Sequence, residues 1–110
     1  MLVSMKALLL STPGTLAVVD VDTPAPAAGE VRVRIAACGI CGSDVHGFTG
    51  ATGRRIPPLV MGHEAAGTID AVGPGVADIA VGTRVAIDST IFCGGCEHCR
   101  AGHENLCTDR

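Results

Sequence analysis

Hydrophobic and polar positions alternate most clearly over Glu30-Val31-Arg32-Val33-Arg34-Ile35-Ala36. Val31, Val33 and Ile35 fall on one face, Arg32 and Arg34 on the other. A period of two predicts a strand with one face in a core and the arginine face in water. Upstream, Met5-Lys6-Ala7-Leu8-Leu9-Leu10 and Leu16-Ala17-Val18-Val19-Asp20-Val21 read as two more strands. The turn residues Thr12-Pro13-Gly14 between them predict a hairpin. Thr23-Pro24-Ala25-Pro26-Ala27-Ala28-Gly29 is too rich in proline for regular structure and reads as a connector.

Residues 38–50 hold Cys, Gly, Ser, Asp and His, with little apolar content. They predict a loop with one helical turn, in which Ser43 caps residues 44–48. Pro57-Pro58 favours extended backbone leading through Val60-Met61-Gly62 to His63. A strand is expected from Ala65 to Val72, ended by Gly73-Pro74-Gly75, and a short one over Arg84-Val85-Ala86-Ile87. From Cys93 onward a cysteine-rich loop is expected. The whole reads as all-β, with short strands and functional loops in a barrel-like arrangement.

Composition narrows this picture. Apolar residues make up 47% of the 110, yet there are two Phe, no Tyr and no Trp, so Ala, Val, Ile and Leu must fill any core. The fifteen glycines and six prolines favour turns over long helices. Eight basic and eleven acidic residues give a net charge of −3, with Arg54-Arg55 the one adjacent basic pair. This pattern gives no nucleic-acid footprint. No apolar run reaches membrane-span length. The N-terminal Ala7-Leu8-Leu9-Leu10 run is too short for a secretory core, which points to a cytoplasmic protein. Six cysteines in such a compartment point to metal rather than disulfides.

Spacing sharpens the metal reading. Cys93, Cys96, Cys99 and Cys107 form C-x2-C-x2-C-x7-C. Two-residue gaps let a tight turn present successive sulfurs to one ion, and the longer gap lets the chain return to close a tetrahedron. Four thiolates leave no position for a substrate, so this zinc site is expected to be structural and to lock a loop with little core of its own. Disulfides and an iron–sulfur cluster are the alternatives. The bacterial ferredoxin run brings its fourth cysteine in after three residues and follows it with proline; Cys107 comes after seven and is followed by Thr108. His98 and His103 are expected to be solvent-exposed bystanders. A second cluster, Cys41-Gly42-Ser43-Asp44-Val45-His46 followed by Gly62-His63-Glu64, brings a thiolate, an imidazole and a carboxylate within reach of one another if both loops lie at one end of the β scaffold. Such a set would leave a zinc ion open for catalysis. Cys38 also forms a C-x2-C with Cys41, but without the βαβ context of a redox pair it reads as a small buried residue.

These three motifs, in this order, resemble the zinc-dependent medium-chain alcohol dehydrogenases, with the sorbitol and threonine dehydrogenase branch as the nearest analogy. The resemblance runs from Met5 to Cys107. It implies a GroES-like partly open barrel as the N-terminal catalytic domain, covered in part by residues 1–110, with a structural-zinc lobe at 93–107. It implies Cys41 and His63 as catalytic zinc ligands, with Glu64 a ligand or a support beside the metal. Asp44 would orient His63, and Ser43 and His46 would relay a proton away from the alcohol. Gly42 stands where some members carry a basic residue, so a pyrophosphate contact from that position is lost. The family's NAD- or NADP-binding Rossmann domain and its remaining zinc ligand would lie beyond Arg110, because no G-x-G-x-x-G fingerprint occurs here. The implied activity is oxidation of a small-molecule secondary alcohol or polyol to a ketone, in a full-length homo-oligomer. This portion alone is expected to be inactive. A non-catalytic zinc-binding module is the rival, and the Ser43–Asp44–His46 set is what such a module would not need.

Overall fold

The computed structural model describes residues 3–110. Strands β1 (Ser4–Thr12) and β2 (Thr15–Asp22) form the expected hairpin, with Leu8 opposite Val18 and Leu10 opposite Leu16. A two-residue strand, β4 (Leu59–Val60), adds to the free edge of β1, giving the order β2-β1-β4. The second sheet has the order β3-β5-β6, built from β3 (Val31–Gly39), β5 (Glu64–Val72) and β6 (Arg84–Ala86), all antiparallel. The result is an all-β GroES-like arrangement of two three-stranded sheets, open rather than closed into a complete barrel. No helix among the described residues is long and apolar enough to cross a membrane.

Strand β3 runs through Cys38 to Gly39, past the point where alternation stops in the sequence. The cause is its partner: β5 starts at Glu64, and the ladder continues through Ala37↔Ala66, Cys38↔Ala65 and Gly39↔Glu64. Register shifts between Arg32 and Val33, and between Ile35 and Ala37, bend the strand and break its strict alternation. The arginine face therefore divides. Arg32 is drawn into an ion pair with Asp70 at 2.7 Å, its side chain 31% exposed, while Arg34 stays in water. The expected fully solvated arginine face holds for Arg34 only.

The core is small and aliphatic. Among the described residues, Leu10 and Ile69 are the fully buried large side chains, joined by Ala7. Two further ties set up the functional end of the molecule. The hairpin turn is bonded to helix α1 (Gly42–Phe48) by Gly14 N–H donating to Phe48 O at 2.7 Å. The segment before His63 is held to the first sheet by Met61 N–H donating to Leu8 O at 2.8 Å. At the opposite end, Gly29 N–H to Pro74 O and Gly73 N–H to Glu30 O close the β3–β5 pair.

Candidate metal centres

The open cluster follows from the β3–β5 register. Gly39 pairs with Glu64, so Cys41 leaves the ladder two residues after β3 ends, and His63 enters it one residue before β5 begins. Both side chains land at the same end of the sheet. One ligand atom each from Cys41, His63 and Glu64 lies within 4.8 Å of the others. Gly62 makes the approach possible. Its φ of +107° is in the left-handed half of the map, and a Cβ there would stand 3.0 Å from Cys38 Sγ. Cys38 is exposed rather than buried, because its side chain lines the open apolar groove with Ile40 and Met61.

Helix α1 begins differently from expectation. Cys41, not Ser43, occupies the N-cap position. The reciprocal bond comes from Asp44, whose Oδ2 accepts the Cys41 N–H at 3.0 Å. That frees Ser43: its Oγ is 3.4 Å from His63 Nε2 and accepts a bond from Arg55 Nη2 at 3.1 Å. Asp44 Oδ1 lies 3.2 Å from His63 Nδ1 and 3.3 Å from Arg55 Nη2. One half-buried carboxylate thus holds the backbone of Cys41, the ring of His63 and a guanidinium. His46 sits exposed on the last turn of α1, one turn on from Ser43, and among the described residues its ring has no hydrogen-bond partner. Arg55 carries no signal in the sequence beyond its pairing with Arg54; its place in the cluster comes from the folding of the loop between α1 and β4. Beside this network an apolar groove of about 400 Å³ is walled by Leu8, Leu16, Ile40, Val45, Phe48 and Met61.

The second cluster occupies the segment from Cys93 onward, which is more ordered than a plain loop. Helix α2 (Glu97–Arg100) starts from Cys96 as N-cap, and a 3-10 turn spans Glu104–Leu106. The one-turn helix brings Cys96 and Cys99 together, their sulfurs 3.4 Å apart, while Cys93 and Cys99 are 4.0 Å apart. All four sulfurs lie within 4.8 Å of one another, and all six cysteines of the chain are free thiols. A tetrahedron with Zn–S bonds of about 2.3 Å has edges of about 3.8 Å. The four sulfurs therefore fit one zinc ion, with no open position. Neither His98 nor His103 joins the group; His103 is exposed and His98 half-buried.

Backbone amides point at two of these sulfurs. The N–H groups of Gly95 and Cys96 point at Cys93 Sγ, and those of Cys93 and Asp109 at Cys107 Sγ, at 3.3–3.4 Å. The amides of Cys99 and Thr108 pull the Cys96 thiol down to about 5, and those of Cys93 and Asp109 lower Cys107. Burial, together with the adjacent Cys96 sulfur, pushes Cys99 up to about 12. Without metal the lobe therefore favours a thiolate at Cys96 and a protonated Cys99.

The chain is 48% identical over 104 residues to the starvation-sensing protein RspB of Escherichia coli (strain K12), which covers 94% of this chain and 31% of that protein. It is 42% identical over 107 residues to L-threonine 3-dehydrogenase of Pyrococcus horikoshii, again covering 94% of this chain and 31% of that one. Among solved structures, a cobalt- and zinc-bound thermostable alcohol dehydrogenase from Pyrobaculum aerophilum superposes with a TM-score of 0.89 at 33% identity, covering 96% of this chain and 33% of that one. The chain thus spans about a third of the length of the proteins it matches. Residues 27–110 match the family described as the alcohol dehydrogenase GroES-like domain. With the β3–β5 sheet, the open Cys41–His63–Glu64 cluster and the four-cysteine lobe all inside or joined to that match, the chain belongs to the alcohol dehydrogenase GroES-like domain family.

Proposed function

We propose that these residues form the N-terminal catalytic-domain portion of a zinc-dependent, NAD- or NADP-linked dehydrogenase that oxidises a secondary alcohol or polyol to a ketone by hydride transfer. The observation that carries this is the Cys41–His63–Glu64 set, three ligand atoms within 4.8 Å of one another, one fewer than closes a zinc tetrahedron. The dehydrogenase relatives and the metal-bound neighbour support it. The split into one structural and one catalytic zinc follows from ligand count: four sulfurs close a site, whereas three mixed ligands do not.

Cys41, His63 and Glu64 would hold a zinc ion, which when bound would supply a Lewis acid for an alcohol oxygen. The protein's own residues do the rest of the preparation. Asp44 Oδ1, 3.2 Å from His63 Nδ1, is placed to favour a proton on Nδ1, the tautomer that leaves Nε2 bare. Ser43 Oγ, next to that nitrogen, is placed to take a proton from the alcohol. His46, one turn further along α1, is the exit towards solvent. The apolar groove lies beside Asp44 on that flank of the network. A nicotinamide would have to be held outside these residues.

The test is turnover by the intact, zinc-loaded protein on secondary alcohols and polyols with NAD and NADP, beside its Cys41→Ser variant. The reading requires activity in the parent and its loss in the variant, with the lobe's zinc retained. A parent that binds zinc but oxidises none of them would favour a non-catalytic zinc module.

A further inference from the structure

Arg55 lies in the loop between α1 and β4, and its side chain reaches the point where the supports of the open cluster meet. A single nitrogen, Nη2, is 3.1 Å from Ser43 Oγ, 3.3 Å from Asp44 Oδ1 and 3.3 Å from His63 Nδ1. The Arg55 and Asp44 side chains are 25% and 13% exposed, so solvent screens this pair less than a surface ion pair. The stem is held as well: a Cβ on the buried Gly47 of α1 would collide with Arg55 Cγ.

The donors and acceptors close in one way that leaves His63 able to bind a metal through Nε2. Nη2 carries two hydrogens, and Ser43 Oγ and Asp44 Oδ1 accept them. Asp44 Oδ1 has a further lone pair for the Nδ1–H of His63 at 3.2 Å. With Nδ1 protonated, Nε2 is unprotonated. In the opposite tautomer Nη2 would donate to Nδ1, and Nε2 would carry the hydrogen and could not ligate. Asp44 would then face His63 with no hydrogen between them. A cation beside Asp44 holds its carboxylate in place as an acceptor and selects the first arrangement.

We infer that Arg55 is a positioning residue for the Cys41–His63 metal site: by gripping Ser43 and Asp44 from one nitrogen it sets the His63 tautomer and aims Nε2 at the space shared with Cys41 and Glu64. The inference rests on the reading of that cluster as a metal site. It is tested with cobalt(II) alone, titrated into the intact protein and its Arg55→Met variant after the lobe has been filled with zinc. The thiolate-to-cobalt absorption of Cys41 reports occupancy. Loss of a partner that orients a metal ligand costs about 10–100-fold in affinity, and that loss is expected in R55M with the lobe's zinc unchanged. Gly47→Ala, which displaces Arg55 while keeping its charge, is expected to weaken cobalt in the same direction. Parental affinity in both variants overturns the role of Arg55 and leaves the metal site standing. No cobalt signal in the parent overturns the metal reading itself, and the inference with it. A readout independent of any variant's folding is the 15N spectrum of His63 in the metal-free parent: protonated Nδ1 with bare Nε2 is expected, and protonated Nε2 overturns the inference.

Discussion

Replacing Asp44 by asparagine removes almost no volume, but it removes an acceptor. Asp44 Oδ2 accepts from the Cys41 backbone at 3.0 Å, while Oδ1 faces His63 Nδ1 at 3.2 Å and Arg55 Nη2 at 3.3 Å. A carboxylate serves all three donors, whereas an amide offers one oxygen and one NH2 group. If the oxygen faces Cys41, the NH2 group confronts His63 and Arg55; if it is flipped, the Cys41 N–H loses its partner. Either way at least one hydrogen bond to a charged group is lost, at a cost of about 1.5–3 kcal/mol. For an outer partner of a metal ligand this corresponds to a fall of about 10–100-fold in zinc affinity. The assay is competition with a chromophoric chelator in the intact protein, scoring the open cluster separately from the lobe. Asp44→Asn with parental zinc affinity at the open cluster would refute the reasoning, because it would mean that His63 needs no acceptor behind it.

Other outcomes follow from the same geometry. Ser43→Ala should keep zinc but lower kcat by about 10²–10⁴-fold, the usual contribution of a positioned proton acceptor, and steady-state kinetics with metal analysis will show it. Zinc uptake by the lobe at pH 7 should release at least one proton, the one held on Cys99, which calorimetry in buffers of different ionisation enthalpy can count; uptake without proton release would contradict it. In the metal-free lobe, the Cys96 thiol lies at about 5, below its unfolded value. Its contribution is complete above that unfolded value and is lost as pH falls towards about 5, so protease resistance of residues 93–107 should decline over that window. Leu10→Ala should cost about 2–5 kcal/mol in urea unfolding, because Leu10 is one of the two fully buried large side chains among the described residues.

The parts of the fold legible in the sequence are those governed by local signals. The β1–β2 hairpin follows from two apolar runs around Pro13-Gly14, and the strand at 64–72 from its apolar content between glycines. The gathering of Cys93, Cys96, Cys99 and Cys107 follows from spacing, because two-residue gaps leave few ways to place the sulfurs. What escaped depends on partners distant in the chain. The extension of β3 to Gly39 is imposed by β5, and the bulges that turn Arg32 towards Asp70 leave no local trace. Helix α2 is one turn long, too short to show a period. The N-cap role passed from Ser43 to Cys41 because Asp44 could reach back to it, a competition that propensity alone does not resolve. Arg55 meets Ser43, Asp44 and His63 only once the loop between α1 and β4 has folded over Gly47.

Zinc content, measured on the reduced, purified intact protein beside Cys41→Ser and Cys96→Ser, bears most directly on the claim that one chain carries a closed and an open metal centre. Two ions per chain are expected in the parent and one in each variant, with turnover lost in Cys41→Ser. A parent holding a single ion, or a Cys41→Ser protein that still holds two, would contradict it.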